Sequence, residues 1–117
     1  MDVQDKIIQI NELLSYWIEK ENVYVQIVPE KEVKNVMDRF MEGLHELAGT
    51  VQANENIKKI SINSWVVAVY PMVLERFGFE IEGEVSTEIK KKYFSREQKP
   101  VWGACMDRDE FLNRYLN

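Results

Sequence analysis

The sequence predicts an α+β fold in which a small mixed sheet of about four or five strands is flanked by helices. Apolar residues recur at three- and four-residue steps over residues 3–20 and 30–51, a spacing typical of amphipathic helices. Short runs rich in β-branched and aromatic residues, at 23–28 and 58–66, alternate with these segments and are typical of strands. The 117 residues fit a single domain, 1–117, with room for a modest core.

Two helices with one strand between them are predicted for the first half of the chain. The strand at 23–28 is apolar at successive positions, which indicates a central strand covered on both faces. The helix at 30–51 contains Gly43, which costs about 1 kcal/mol relative to alanine inside a helix, and Gly49 is expected to end it. The apolar stripes comprise Val3, Ile7, Ile10, Leu14 and Trp17 in the first helix, and Val33, Val36, Met37, Phe40, Met41, Leu44, Leu47, Ala48 and Val51 in the second.

A strand followed by a short helix is predicted for the middle of the chain. The strand covers residues 58–66 and the helix covers 71–77, where Pro71 suits the first helical turn. Gly78 follows immediately and suits the left-handed backbone position just past a helix end, where a side chain would clash. We therefore expect a positive φ angle at Gly78.

The last third of the chain is predicted to hold two strand regions and a terminal helix. Residues 80–94 are expected to be extended, with 86–94 as a second strand candidate, and residues 101–106 form the last strand. Asp107, with Glu110 three residues later, resembles a capping box at the start of the terminal helix. The predicted order of elements is α-β-α-β-α-β-β-α.

One run of the sequence carries a resemblance to a known family. Residues 74–84, Leu-Glu-Arg-Phe-Gly-Phe-Glu-Ile-Glu-Gly-Glu, are typical of a helix end, a glycine stop and a departing strand. The run resembles the Tyr-Glu-Lys-Leu-Gly-Phe-like segment after the fifth strand of the GNAT superfamily of N-acetyltransferases. The similarity covers about residues 30–111, and residues 105–111 are similar to the family's Met-x-x-Arg-x-Glu-Phe ending. It implies a truncated GNAT-like fold in which the strand at 58–66 lies beside the strand at 23–28.

The cofactor site implied by this resemblance departs from the family pattern. GNAT enzymes hold the pyrophosphate of acyl-CoA on backbone N–H groups of a glycine-rich loop at the start of the third helix. The matching stretch, residues 28–33, contains no glycine, and Glu30 and Glu32 would repel a pyrophosphate. Lys31 and Lys34 offset this charge only in part, and they are the residues expected to contact the phosphates if acetyl-CoA binds.

The catalytic positions implied by the resemblance also depart from the family. The tyrosine that donates a proton to the departing thiolate is matched by Leu74, and an asparagine seven residues earlier is matched by Val67. Trp65 and Tyr70 bracket the segment after a strand end, where open α/β sheets usually bind ligands. In the family this crevice receives the acyl-CoA arm. The two aromatic residues either line such a crevice or simply fill it.

These departures favour a GNAT-like domain that has lost acyl-CoA chemistry and works as a non-catalytic binding or regulatory protein, of the accessory or phage-encoded kind. Under this hypothesis no catalytic residue, metal ligand or cofactor is predicted. The alternative is an acyl-CoA-dependent N-acetyltransferase with an atypical CoA site formed by Lys31, Lys34, Trp65 and Tyr70. A small-ligand sensor that uses the Trp65–Tyr70 crevice is a third hypothesis.

Four other features could carry chemistry, although each is more typical of an ordinary surface or core. His45, at the edge of a helical stripe, is either a general base or a boundary residue. The alternating glutamates of residues 80–84 share one strand face and either bind a cation or form solvated surface. The lysines of residues 90–92 either contact phosphate or protect a sheet edge. Cys105 is expected to be a buried, inert thiol.

Composition and charge limit the classes of partner. The net charge of −5 disfavours nucleic acid, and no apolar run approaches the roughly 20 residues that span a membrane. The single cysteine fits a reducing, cytoplasmic location. The stripe at 3–20 lacks the strands that would normally cover it, so the expected partner is another protein or a second copy. We predict a homodimer with that helix in or beside the interface.

Overall fold

A mixed six-stranded sheet with helices packed against it organises the fold in the computed structural model, which describes residues 7–27 and 34–116. In chain order the strands are β1 (Ile8–Gln9), β2 (Leu14–Glu19), β3 (Asn22–Ile27), β4 (Lys59–Ser64), β5 (Glu80–Glu84) and β6 (Trp102–Asp107). They lie in the order β1-β2-β3-β4-β6-β5 across the sheet. The predicted α+β domain with a mixed sheet is confirmed, with more strands than expected. In the described ranges no helix combines the length and the apolar composition needed to cross a bilayer. The described helices are α1 (Val36–Ala53), between β3 and β4, α2 (Trp65–Val69) and α3 (Pro71–Arg76), between β4 and β5, α4 (Thr87–Tyr93), between β5 and β6, and α5 (Arg108–Tyr115), after β6.

The centre of the sheet is a parallel pair, β3 and β4, which the long helix α1 connects. Val23 lies opposite Ile60 and Val25 lies opposite Ile62, so the predicted adjacency of these two strands is confirmed. The other pairings in the described sheet are antiparallel. A parallel pair needs a long crossover, and α1 supplies it.

The two faces of the sheet differ because side chains alternate along each strand. We call the side that carries Val23, Val25, Ile60 and Ile62 the core face, and its side chains pack in one cluster with apolar residues of α1 and α5. The other side, which we call the opposite face, is mixed in character. It carries Trp17, Tyr24, Gln26, Lys59, Ser61, Asn63 and Cys105.

The first predicted helix is wrong where the structure describes it. Its described part forms β1 and β2, and residues 3–6 lie outside the described ranges. Asn11 shapes the chain between the two strands, because its side-chain oxygen accepts hydrogen bonds from the backbone N–H groups of Leu13 and Leu14, both at 2.9 Å. After a turn at residues 20–21, β3 pairs with the whole length of β2. This ladder gives the backbone partners that a helix would otherwise supply.

The strand assignment removes the basis of the predicted self-association through residues 3–20. In a helix Leu14 and Trp17 would share one face, but in β2 they lie on opposite faces of the sheet. Both side chains are almost fully buried within the domain. The uncovered apolar stripe from which the homodimer was predicted therefore does not exist in β2.

The long helix begins and ends later than predicted. α1 begins at Val36 rather than in residues 30–33, which lie outside the described ranges, and it continues through Gly49 to its end at Ala53. The predicted stop at Gly49 is wrong. Val51, two residues later, is fully buried in the core, and this tertiary packing keeps the chain helical past the glycine.

The junction from β4 to α3 follows the prediction with one shift. β4 ends at Ser64 rather than at residue 66, because Ser64 Oγ accepts a hydrogen bond from the N–H group of Val66 at 3.0 Å and caps α2. Pro71 occupies the first turn of α3, as predicted. Gly78 follows the helix with a φ angle of 98°, so the expected positive value is confirmed.

The region predicted as a second strand, residues 86–94, is instead the helix α4. Ser86 Oγ accepts a hydrogen bond from the N–H group of Ile89 at 3.2 Å and so caps the helix. The lysines of residues 90–92 lie in its last turn, where positive charge is favoured. The observed order is therefore β-β-β-α-β-α-α-β-α-β-α. α5 does begin after Asp107, although the Asp107 side chain makes no capping hydrogen bond.

Candidate ligand crevice and methionine groove

The two central parallel strands separate at their C-terminal ends. β3 and β4 are paired from Asn22 and Lys59 up to Val25 and Ile62. Beyond that point β3 stays paired with β2, and β4 stays paired with β6 up to Ser64. Each strand follows its outer neighbour, so a crevice opens between the two ends. Open α/β sheets usually bind ligands at this kind of position.

The crevice is a cavity of about 170 Å³. Its lining combines aliphatic side chains, two aromatic rings, two amides, one hydroxyl and one carboxylate. Most of the lining comes from the C-terminal ends of β3 and β4 and from the segment between α4 and β6. The described lining residues are Gln26, Ile27, Asn63, Ser64, Trp65, Phe94, Glu97 and Val101.

Two neighbouring polar residues of the crevice differ in their hydrogen bonding. Ser64 Oγ caps α2 and also lies 3.5 Å from the carbonyl oxygen of Ile27 across the gap. Asn63 is only 8% exposed, yet its amide makes no hydrogen bond within the described part of the chain. Gly103 of the facing strand β6 leaves space for this amide, because a methyl group there would come within 2.8 Å of Asn63 Oδ1. Asn63 therefore brings an amide without a hydrogen-bond partner in the described chain to the lining of the crevice.

The crevice offers little acid–base chemistry. Among its described lining residues Glu97 is the only ionisable one, and its Oε1 accepts a hydrogen bond from the backbone N–H group of Lys99 at 2.9 Å. Val67 and Leu74, which match the family's polar positions, are buried apolar residues of the core. The arrangement can bind a ligand, but these two positions supply no proton donor for a departing thiolate.

The structure separates the residues predicted to hold CoA. Trp65 lines the crevice, and Lys99 Nζ lies 4.0 Å from the centre of its ring. Tyr70, between α2 and α3, is 54% exposed and is not among the described lining residues. Lys34 is exposed in the turn before α1, and Lys31 lies outside the described ranges. Of the three that the structure describes, only Trp65 is thus placed at the crevice.

Two crevice residues, Gln26 and Asn63, were missed by the sequence analysis. Both are polar positions within segments that are otherwise rich in apolar residues. That signal was available, because amides inside buried strands need hydrogen-bond partners. The two amides indicate a binding site only when both strands are known to end at the same cavity.

The other predicted candidates lie apart from the crevice. His45 Nδ1 lies 2.6 Å from the carbonyl oxygen of Tyr115, so this side chain connects α1 with the end of α5. The three glutamates of residues 80–84 are exposed along β5 at the edge of the sheet. In the part of the chain that the structure describes, no group of three or more His, Cys, Asp or Glu side chains could hold a metal ion.

Cys105 is half-buried on the opposite face rather than fully buried. Burial raises the pKa of its thiol, and the carboxylate of Glu82 raises that pKa further while the ammonium of Lys59 lowers it. Lys59 Nζ lies 3.5 Å from Glu82 Oε2, so the two charges partly offset each other. A thiol with a raised pKa is mostly protonated at neutral pH and is a weak nucleophile. The predicted full burial is therefore wrong, and the inertness of the thiol stays a prediction.

A second concave surface lies between α1, α3 and α5, with a volume of about 390 Å³. Met37 and Met41 were expected in the core, but they are 48% and 39% exposed. They share one face of α1 because they are four residues apart. The Tyr115 hydroxyl donates a hydrogen bond to the carbonyl oxygen of Phe77 and so fixes α5 against the end of α3. We call the surface formed by Met37, Met41, Arg76, Phe77, Arg114 and Tyr115 the methionine groove.

The charged residues of the methionine groove are both basic. Arg114 Nε lies 3.3 Å from Glu110 Oε1 and is partly neutralised. Arg76 forms no ion pair within residues 7–27 and 34–116. The groove therefore joins exposed apolar surface to a local positive charge, in a chain whose net charge is −5.

Comparisons with known proteins add no relative to this picture. No protein-family model, no curated protein and no solved structure matches the chain significantly.

Proposed function

We propose that this protein is a GNAT-like domain without acyl-transfer activity, which works by binding another protein through the methionine groove. The observation that carries the proposal is the exposure of Met37 and Met41 in a concave surface that also contains two arginines. Methionine side chains are flexible and polarisable, so they can adapt to apolar side chains of a partner. Exposed apolar surface of this kind commonly marks an interaction site.

The charge of the groove favours an acidic partner segment. Arg76 and Arg114 lie beside the methionines, and neither arginine faces a carboxylate among the other described groove residues. Complementary charges orient a partner and increase its association rate more than they increase affinity. An amphipathic helix with apolar anchors and carboxylates has the matching chemistry, since helical grooves commonly accept such segments.

Several features support the GNAT-like part of the proposal. A parallel pair of strands is bridged by the long helix α1, and the ends of the pair separate to form a crevice. α3, Gly78 and β5 follow in the order of the resembled run. The burial of Val67 and Leu74 supports the loss of acyl-transfer chemistry, because both side chains are apolar and packed in the core.

The alternative function is an acyl-CoA-dependent N-acetyltransferase with an atypical CoA site. The observation in its favour is the crevice itself, with Trp65 in its lining. In this hypothesis the acyl arm would enter between β3 and β4, and Lys31 and Lys34 would contact the phosphates. A small-ligand sensor would use the same crevice without transfer chemistry.

Calorimetry with acetyl-CoA separates the two functions. We expect little heat with millimolar acetyl-CoA and no rise in the melting temperature. A dissociation constant at or below about 10 μM, which corresponds to −7 kcal/mol, would favour the enzyme. In that event Lys34→Ala and Trp65→Ala should weaken binding, whereas Lys58→Ala, an exposed lysine outside the crevice lining, should not.

Peptide selection tests the methionine groove directly. Peptides selected from a random library on the wild-type protein should combine apolar residues with Asp or Glu. They should lose binding to Met41→Glu and Arg76→Glu. Met72→Glu and Arg96→Glu, which alter exposed residues outside the groove lining, should bind them normally. Selected peptides that bind all four variants equally would show that the groove is not the interaction site.

A second copy of the chain is the other candidate occupant of the groove. Sedimentation equilibrium at about 100 μM distinguishes the two cases, since closed dimers are the commonest homo-oligomers. A dimer mass that reverts to the monomer in Met41→Glu would identify the partner as a second copy. A monomer mass in both proteins would leave a different protein as the partner.

A further inference from the structure

The crevice has room for about one ring. Its volume is about 170 Å³, and a dry cavity of about 150 Å³ engineered in another protein binds benzene. Trp65 and Phe94 contribute aromatic surface to the lining, while Ile27 and Val101 contribute aliphatic surface. A six-membered ring with one short substituent matches both the volume and the apolar character of these walls.

The polar groups of the crevice specify that substituent. Asn63 is more than nine-tenths buried, and its amide makes no hydrogen bond in the described part of the chain. Gln26 adds a second, half-buried amide to the same lining. An amide side chain presents donors and an acceptor together, and buried polar groups in native proteins are nearly always paired. A ligand with its own carbonyl and N–H groups would pair with them.

The charges around the crevice favour an uncharged ligand. Glu97 places a carboxylate in the lining, which disfavours an anion. Lys99 holds its ammonium 4.0 Å from the centre of the Trp65 ring, which disfavours a second cation on that ring. A ligand of either charge would therefore meet a like charge at the crevice.

From size, hydrogen bonding and charge together, we infer that the crevice between β3 and β4 binds a small uncharged aromatic compound with a carboxamide-like edge. The Asn63 amide donates to the ligand carbonyl oxygen and accepts from its N–H group. Aromatic and aliphatic side chains surround the ring. This site is independent of the protein partner proposed above, because the crevice and the methionine groove share no described lining residue.

Benzamide is a suitable probe, since it has one ring, no charge and a carboxamide. Titration of the isotopically labelled full chain, followed by NMR, should shift the signals of crevice residues, including the indole N–H of Trp65. We expect a dissociation constant of about 1 mM or below for a ligand of this size. Benzoate and benzylamine have a similar shape but carry a charge, and each should bind at least about tenfold more weakly.

Variants of the crevice test the role assigned to Asn63. Asn63→Leu keeps the approximate size of the side chain and removes the amide, so benzamide should bind about tenfold more weakly while toluene binds unchanged. Gly103→Ala keeps the amide but forces it to move, because the new methyl group would approach Asn63 Oδ1 to 2.8 Å. It should also weaken benzamide binding. Asn113→Leu, at an exposed position on α5, is the matched control and should change nothing.

Four results would overturn the inference. The first is the absence of any shift with benzamide up to about 20 mM. The second is a set of shifts that lies outside the crevice. The third is equal affinity of benzamide for the wild type, Asn63→Leu and Gly103→Ala. The fourth is a preference for benzoate or benzylamine over benzamide.

Discussion

The two faces of the sheet differ in what their side chains require. On the core face Val25, Ile62 and Ala104 lie side by side across three strands, and each is at most 1% exposed. The cluster that contains them also holds apolar side chains of α1 and α5. Burial and dispersion stabilise such a row without directional bonds. This face can therefore be assembled from almost any apolar side chains of suitable size.

The equivalent row on the opposite face, one residue along each strand, presents Tyr24, Ser61 and Cys105. α4 lies beside this face, where Ile89 lines a cavity together with Tyr24. A hydroxyl or an amide in such a row needs a partner at a defined distance and angle. The polar side chains of the opposite face therefore depend on specific partners, and Asn63 lies on this face at the end of the sheet where the crevice opens.

We expect the largest difference in the free energy of unfolding between two glycine variants of α1, one of which lies in close contact with the core face. Gly43 of α1 lies against β2, where a methyl group would overlap the Leu14 side chain. We expect Gly43→Ala to lower the free energy of unfolding by about 1–3 kcal/mol, because overpacking outweighs the better helix propensity of alanine. Gly49→Ala, in the same helix with no atom within 4 Å of the new methyl group, should raise it by about 1 kcal/mol. Urea denaturation measures both values, and a stabilised Gly43→Ala variant would mean that α1 does not approach β2 closely.

Two asparagines differ in whether their amides are hydrogen-bonded within the protein. Asn11 accepts hydrogen bonds from the N–H groups of Leu13 and Leu14 and donates one to the carbonyl oxygen of Arg39 at 3.0 Å. Asn63 makes no such bond within the described chain. We expect Asn11→Leu to lower the free energy of unfolding by about 1–3 kcal/mol, and Asn63→Leu to leave it unchanged or raise it. Equal losses in thermal denaturation would contradict the assignment of Asn63 as a binding group rather than a structural one.

The smallest effect is expected from an exposed ion pair beside β2. Glu12 Oε1 lies 2.5 Å from Arg39 Nε, and this hydrogen bond lowers the pKa of Glu12 to about 2. Folding lowers the pKa of Glu12 from its ordinary value of 4.5. The pair therefore stabilises the folded protein at pH values above 4.5, and this contribution is lost as the pH falls towards 2.

A series of melting temperatures from pH 7 to pH 2 measures this contribution. The difference between the wild type and Glu12→Gln should be small throughout, because exposed pairs are screened, and it should decline below pH 4.5. Glu46→Gln alters an exposed residue of α1 and serves as the control. A difference that grows as the pH falls would have the wrong sign for this pair.

Local signals in the sequence were sufficient for the elements that depend on backbone geometry alone. Pro71 begins α3 and Gly78 follows its end, because a fixed φ angle and a permitted positive φ angle act within a single turn. Residues 23–28 contain enough β-branched side chains to favour a strand wherever they lie, and β3 occupies nearly all of that range.

Two segments were compatible with both a helix and a strand, and a different factor decided each one. Residues 14–19 can form a helical stripe or a strand, and pairing with β3 along the full length of β2 selected the strand. Residues 86–94 were compatible with an edge strand, but the Ser86 cap selected a helix instead. A capping serine is a local signal that the sequence contained, whereas a neighbouring strand is not.

In the candidate crevice, too, one residue could be predicted from local sequence and another depends on tertiary structure. Trp65 could be predicted because it follows a strand end directly in the chain. Asn63 could not, because its role depends on the divergence of β3 from β4 and on the space above Gly103, which lies opposite it in β6. The sequence by itself thus determined the backbone turns and the apolar content of the strands. Tertiary structure decided which polar side chains share a cavity, because that depends on residues brought together from distant parts of the chain.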